Sequence, residues 1–345
     1  MGCAITDLLV AKELSLEDLS GKILAVDAFN QLYMFLSTIR QRDGSLLMDS
    51  KGEITSHLSG LFFRFSKLMQ SGLRFVFVFD GKVPDLKKKE RQRRAKLKHE
   101  AQKEFEKAAA AEDVVGMRKY AARTSQLTSE MREEAILLIK AMGIPIVQAQ
   151  GEGEAQAAYL VKKGQAYAIM SQDADSLLFG SPKVVKNLSV TKRKKQPSAL
   201  AYQTITPEII SLQENLKVLG ITNDQLICLG MLVGTDYNIG GIKGIGPKNA
   251  LKLVKEYPHD FDKLFKEVKW DDQYEYSWKE VFSLFKDCPV SEEYALDWEA
   301  PDWDKVKEVL VEKHEFGLER VEEVRKSFEK AAQLTRQRGL GEFFR

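Results

Sequence analysis

Ile23-Leu24-Ala25-Val26-Asp27 and Phe75-Val76-Phe77-Val78-Phe79-Asp80 decide the fold. Each is a short, unbroken apolar run closed by an aspartate, the composition of a strand buried on both faces. Ile144 to Val147 and Tyr167 to Met170 have the same character. Helical patterns lie between them. One runs from about Thr55, a good N-cap, to Ser71, with Gly72 placed to stop it; Glu130 to Met142 and Glu154 to Lys163 end at Gly143 and Gly164. This alternation predicts an α/β fold, a mostly parallel central sheet flanked by helices.

The stretch from Gly81 to about Thr128 breaks the rhythm, being too long and too polar for an ordinary strand-to-helix connection. It reads as an insertion. Its first half, Lys82 to Lys103, carries ten Lys or Arg against three acids, and Pro84 suits the first turn of a helix. A second basic run, Lys192 to Lys195, follows the strand-like Lys183 to Val190 and reads as an exposed hairpin tip. From Thr222 onward the chain turns helical. Residues Ala331 to Arg345 lack the periodicity of a packed element and read as a flexible tail.

The chain's 345 residues, 44% hydrophobic, can bury a large core. With 52 Lys and Arg against 50 Asp and Glu, net charge alone predicts no polyanionic partner, so the distribution of charge must carry that argument. Cys3, Cys228 and Cys288 are widely spaced and form no zinc pattern, which suits a reducing compartment. No apolar stretch approaches the length of a membrane span, so a soluble protein is expected. Met1-Gly2-Cys3-Ala4-Ile5-Thr6 matches the loose N-myristoylation pattern, which is short enough to arise by chance.

Seven acids follow these runs. Asp27 and Asp80 close the first two, Glu152 and Glu154 follow the third, Asp173 and Asp175 the fourth, and Asp236 the apolar segment Leu226 to Val233. Ligands of open parallel sheets bind at the carboxyl edge of the strands. Any single acid there is more often a helix cap than a catalyst; the repetition is what points to a site. Carboxylates brought together without cations would have to hold protons. An all-oxygen set without His or Cys suits Mg²⁺ or Mn²⁺, and two such ions roughly 4 Å apart activate a water and stabilise the leaving oxygen of a phosphodiester.

Three further motifs point to nucleic acid and its machinery. Lys87, Arg91, Arg94 and Lys98 are spaced four, three and four, which places them on one helical face beside the end of the Asp80 run, where a phosphate backbone would lie. Lys87 and Arg94 are the candidates for stabilising transition-state charge. Gly241-Ile242-Lys243-Gly244-Ile245-Gly246-Pro247-Lys248-Asn249-Ala250 fails as a dinucleotide loop but fits a helix-hairpin-helix, whose turn around Gly244 and Gly246 offers backbone N–H groups, with Lys248 beside them, to a phosphate. Gln337, Leu340, Phe343 and Phe344 place apolar residues on a polar end, as a plug for a hydrophobic pocket on a partner or as a tail folding back.

With these motifs assembled, the whole chain resembles the flap endonucleases of the XPG-type nuclease family, in their archaeal form. The motifs that carry the resemblance are Met1-Gly2, Val26-Asp27-Ala28, Val78-Phe79-Asp80-Gly81, Gly151-Glu152-Gly153-Glu154-Ala155, Ser171-Gln172-Asp173-Ala174-Asp175, Gly234-Thr235-Asp236-Tyr237, the hairpin, and Gln337 to Phe344. The resemblance implies a 5′-nuclease fold related to PIN domains. It also implies 5′-flap cleavage, with 5′-3′ exonuclease activity, in Okazaki-fragment maturation and base excision repair.

The resemblance assigns all seven acids to two Mg²⁺ ions, makes the insertion a helical arch, and puts Lys87 and Arg94 on the scissile phosphate. It makes Tyr33 a base-stacking aromatic, gives the hairpin a K⁺ ion, docks the tail on a sliding clamp, and places the Gly2 amine near the site, which disfavours lipidation. Cys3-Ala4 departs from the more apolar residues usual after Gly2, and the chain lacks the basic extension of nuclear homologues after Phe344, so an archaeal cytoplasm is expected. The implied organisation is one nuclease domain over 1–330, a monomer in itself, with the arch at 81–128, the hairpin region at 218–260, a C-terminal helical part at 261–330 and the clamp-binding tail at 331–345. The competing readings are a non-catalytic DNA-binding adaptor, which would not need seven acids, and a processive 5′ exonuclease of the same family, which would not need the clamp box.

Overall fold

Alternation within the apolar runs sets the two faces of the sheet. In the second run, Val76 and Val78 pack on one side with Ala25, Ile169 and Val184, whereas Phe75, Phe77 and Phe79 pack on the other with Leu24, Val26, Met170 and Val185. Side chains of a strand point alternately up and down, so a run without polar residues needs a covered face on each side. The computed structural model describes residues 5–82, 84–111, 113, 116, 120, 124, 126–189, 193–195, 202–204 and 206–342.

The strands are β1 (Lys12–Glu13), β2 (Ile23–Asp27), β3 (Arg74–Phe79), β4 (Ile146–Gln148), β5 (Ala168–Met170), β6 (Lys183–Lys186), β7 (Arg193–Lys195), β8 (Tyr202–Thr204) and β9 (Glu208–Ser211). Seven of them form one sheet in the order β1-β9-β6-β5-β2-β3-β4, parallel from β4 to β6 and antiparallel at β9 and β1. The chain lays β3 and β4 to one side of β2 and then crosses to place β5 on the other. That reversal makes the carboxyl end of β2 a topological switch point.

The expected helices form with small shifts. Ser129–Ala141 is capped by Thr128, whose side chain accepts the Met131 N–H, and Gly153–Lys162 follows β4. The Thr55 to Ser71 segment is helical as Ser56–Ser59, a π-helical stretch Gly60–Phe65, and Ser66–Gln70. The sequence reading passed over Ala28–Thr38, which buries Ala28, Gln31, Leu32, Phe35 and Leu36 on one face. No single described helix is long and apolar enough to cross a membrane.

Two expectations change, and a third gains local detail. Lys183 to Val190 is not one strand, because Asn187 adopts a left-handed conformation (φ 63°) that ends β6 at Lys186. Arg193, Lys194 and Lys195 lie on an arm of a hairpin and not at its tip, paired with Thr204, Gln203 and Tyr202; Lys192 lies outside the described residues. Within the stretch expected to be a flexible tail, residues 331–342 continue the helix Leu318–Glu342. Ala331, Ala332, Gln333, Leu334, Arg336 and Gln337 favour that conformation one by one and need no apolar stripe to do so.

Candidate active site

Backbone pairing brings the first two acids level. Asp27 is the partner of Val78, so Asp80 projects just beyond it on the next strand. Asp27 also caps the helix Ala28–Thr38, its Oδ1 accepting the Asn30 N–H at 3.0 Å. The cap and the site position are therefore the same residue, and the helix N-terminus favours its negative charge. Asp80 Oδ1 accepts the Gly153 N–H at 2.7 Å. A Cβ at position 153 would stand 2.6 Å from that oxygen, which is why glycine separates Glu152 from Glu154.

Glu152 and Glu154 sit at the start of the helix Gly153–Lys162. Asp173 follows β5 and accepts the Asn30 side-chain amide at 2.9 Å, and Asp175 opens a 3₁₀ turn, Asp175–Leu177. Asp236 comes from a tight loop after the helix Asn223–Val233. That loop is held by Thr235 Oγ1 bonded to Asn238 Oδ1 at 2.7 Å and by the Asn238 amide donating to the Met231 carbonyl at 2.6 Å. Gly241 closes it at φ 61°, where a Cβ would be 2.3 Å from the Val233 carbonyl carbon.

Electrostatic coupling ties the seven together. Burial, and then the repulsion of Asp80 and Asp173, push the Asp27 carboxyl up to about 7. Burial and Glu152 raise Asp80, while burial, Asp175 and Asp27 raise Glu154 well above its usual range. Burial pulls the Lys87 ammonium toward neutrality, but Glu152 and Asp236 outweigh it and hold the group charged. Lys87 Nζ lies 2.8 Å from Glu152 Oε2 and 3.4 Å from Asp236 Oδ2, and Arg94 bonds Asp236 through its guanidinium. The stripe expected on the basic helix thus reaches the acids from the turn Asp85–Lys87 and the helix Lys88–Ala110.

The residues fit hard divalent cations. The donors are all oxygens, three carboxyls are forced toward protonation in a metal-free protein, and Glu152 Oε1 is buried without a hydrogen-bond partner of good geometry, even from the neighbouring Tyr237 hydroxyl. Among the described residues, no three of the seven have oxygens mutually within 4.8 Å; the trio that does is Asp49, Glu53 and His314, elsewhere in the fold.

Lys98 Nζ stands 4.3 Å from the centroid of the Tyr33 ring, itself 37% exposed, so the distal end of the stripe meets the predicted stacking residue. Gly244 and Gly246 lie exposed in the turn between the helices Asn223–Val233 and Pro247–Glu256, where Pro247 occupies the first helical position and no side chain caps the amides; Lys248 is exposed beside them. Gly2, Phe343 and Phe344 lie outside the described residues, as do the side chains of Arg91, Gln337 and Leu340.

Two residues here lie in none of the motifs, and a third, Tyr237, only closes Gly234-Thr235-Asp236-Tyr237. Asn30 bridges Asp27, Asp173 and the Gln172 N–H; its signal was its place three residues after a capping aspartate. Glu90 bonds Arg93 and Arg94, three and four residues on, an acid at helical spacing within a basic run. Tyr237 is buried with Lys87 Nζ 5.8 Å above its ring and Phe285 edge-on at 5.1 Å, contacts that its motif does not reveal.

The motifs and the geometry have counterparts in known proteins. Residues 4–101 match the XPG N-terminal domain and residues 143–236 the XPG I-region. Flap endonuclease 1 of Pyrococcus abyssi is 48% identical over 344 residues, 100% of this chain and 98% of its own. The solved flap endonuclease-1 of Methanococcus jannaschii superposes with a TM-score of 0.76 at 39% identity, covering 96% of this chain and 99% of its own. The catalytic core of Rad2 in complex with DNA substrate superposes with a TM-score of 0.67 at 26% identity, covering 94% and 98%. Full-length identity near one half, the two matched regions and the shared sheet establish that the chain belongs to the flap endonuclease family of XPG-type nucleases.

Proposed function

We propose that this chain is a Mg²⁺-dependent, structure-specific endonuclease that removes 5′ flaps from branched DNA. The observation that carries the reading is the set of seven carboxylates at the sheet's carboxyl edge with the Lys87 ammonium inserted between Glu152 and Asp236. Asp27, Asp80, Glu152, Glu154, Asp173, Asp175 and Asp236 would hold two Mg²⁺ ions, with Mn²⁺ as a substitute. When bound, the ions would supply an activated water and charge stabilisation at the leaving oxygen.

The chain's own part is positional. Lys87 and Arg94 would grip the oxygens of the scissile phosphate, and Asn30 would keep Asp27 and Asp173 in register. Tyr33 would stack on a base at the mouth of the site, with Lys98 and Arg91 neutralising the backbone beyond it. The open amides at Gly244 and Gly246, with Lys248, would hold duplex without reading sequence, with a K⁺ ion between peptide and phosphate. Gln337, Leu340, Phe343 and Phe344 would dock on a sliding clamp, which their spacing supports. The setting is Okazaki-fragment maturation and repair in an archaeal cytoplasm, with the enzyme a monomer apart from the clamp.

The test incubates a labelled double-flap DNA with the full chain, with and without Mg²⁺. Cleavage near the junction that requires Mg²⁺ is expected, and its absence overturns the reading. Asp173→Ala is expected to abolish cleavage while flap binding persists; unchanged cleavage removes Asp173 from the site.

A further inference from the structure

A second cluster of metal-type donors lies away from the sheet edge, where the turn after Met48 meets the C-terminal part of the domain. Met48 and Ile54 bridge the two arms of that turn, Gly52 takes φ 81°, and Asp49 Oδ1 accepts the N–H groups of Lys51 at 3.0 Å and Glu53 at 2.8 Å. Asp49 and Glu53 are thereby fixed side by side. Ser50 bonds Glu315 through its N–H at 2.8 Å and its hydroxyl at 2.5 Å, which seats His314 against the pair. His314 is buried, with Nδ1 3.0 Å from Asp49 Oδ2 and 3.6 Å from Glu53 Oε2. All three donor atoms lie within 4.8 Å of one another.

The other side of the imidazole is already provided for. His314 Nε2 is 3.1 Å from Glu134 Oε1, which also takes Lys313 Nζ at 2.6 Å. A histidine whose far nitrogen donates to a carboxylate presents the near one as a lone pair, the arrangement usual behind metal-bound imidazoles. The fully buried His57 packs behind the same imidazole, its Nε2 3.8 Å from Glu134 Oε2, the carboxylate that faces His314 Nε2.

We propose that His314 Nδ1, Asp49 Oδ2 and Glu53 Oε2 bind one divalent ion of the zinc class, separate from the seven-carboxylate site. The bond lengths of tetrahedral zinc place its donors about 3.3 Å apart, and the separations of 3.0 and 3.6 Å bracket that value. One imidazole with two carboxylates is a zinc-type donor set, whereas the all-oxygen site suits Mg²⁺. Binding replaces the contact between His314 Nδ1 and Asp49, while Nε2 keeps its partner Glu134. The ion would pin the Asp49 turn to the segment carrying His314, two parts of the chain that meet only in the folded state.

The test titrates Zn²⁺ into the full-length, chelator-treated protein in excess Mg²⁺, which keeps the acidic site filled, and follows stoichiometry by calorimetry and by elemental analysis after dialysis. One tight equivalent is expected. His314→Gln is expected to lose it with cleavage in Mg²⁺ unchanged, and Glu134→Gln to weaken it about 10- to 100-fold. Should His314→Gln fail to fold, Glu53→Gln, a change at a side chain 51% exposed, must weaken the same equivalent. No equivalent in the wild type, or one of equal affinity in His314→Gln or Glu53→Gln, overturns the proposal.

Discussion

Glu152 and Asp236 meet cations that the chain itself supplies: the Lys87 ammonium lies between them and the Arg94 guanidinium closes on Asp236. Asp27, Asp80 and Glu154, a few residues away in space, form no ion pair among the described residues and are pushed toward protonation by burial and by one another. One site thus holds two electrostatic regimes. Direct ion pairs mark the first pair, and like charge with burial disfavours ionisation at the second group. The difference separates the acids that the chain's own cations contact, Glu152 and Asp236, from Asp27, Asp80 and Glu154, whose burial and mutual repulsion favour the charge of an added cation.

The largest test breaks the strand-borne half. Asp27→Asn is expected to reduce flap cleavage at least about 100-fold, since several kcal/mol of charge stabilisation depend on the cation. The same change is expected to stabilise the metal-free protein at neutral pH, because it removes a charge that burial and Asp80 oppose. Chemical denaturation of both forms in chelator checks the second half of this statement, and a destabilised metal-free variant would contradict it.

The sign of the accompanying pH dependence follows from Asp27. Its folded pKa, about 7, lies above the ordinary 3.8, so between those values the native state holds a proton that the unfolded state has released. Stability from this group is fully present below pH 3.8 and is lost as pH rises through about 7. The metal-free wild type should therefore become easier to denature across that interval, and Asp27→Asn should lose part of that dependence, the rest coming from Asp80 and Glu154. Divalent-ion affinity should rise over the same interval, because binding must displace the proton.

Lys87→Ala tests the self-supplied half. It is expected to lower kcat about 100- to 1,000-fold with KM little changed, the loss typical of one preorganised charge-stabilising group. Metal affinity should not fall in this variant, since its carboxylates lose a competing cation, and a parallel collapse of metal binding would show Lys87 to be structural. The smallest effect is expected at the far end of the stripe. Lys98→Ala removes the contact with Tyr33, worth about 0.5–1 kcal/mol at an exposed site, and should change flap affinity only a few-fold in direct binding measurements.

Much of the site was legible along the chain because each acid follows an apolar run, and a parallel sheet gathers the carboxyl ends of its strands at one edge. Gly153 was legible only as part of a motif; its reason, the approach of Asp80 Oδ1, required the folded neighbour. Asn30 and Glu90 carried faint local signals, a cap spacing and an acid in a basic run. Tyr237, like Gly153, was legible only as part of a motif, because its place beneath a lysine far away in the chain is a tertiary fact.

The same division holds for the fold and for the second cluster. Composition and periodicity determined the buried strands, most of the helices flanking them and the basic helix, since those depend on residues a few positions apart. Only the tertiary structure decided that β9 runs antiparallel beside β6, that Lys87 lies between Glu152 and Asp236, and that Asp49, Glu53 and His314 share one place. His314 is 261 residues beyond Glu53 in the sequence, and no local pattern links positions that far apart. Strand order, the closure of the basic helix on the acids and the meeting of distant donors are set by packing between elements, which each element's own residues permit but do not specify.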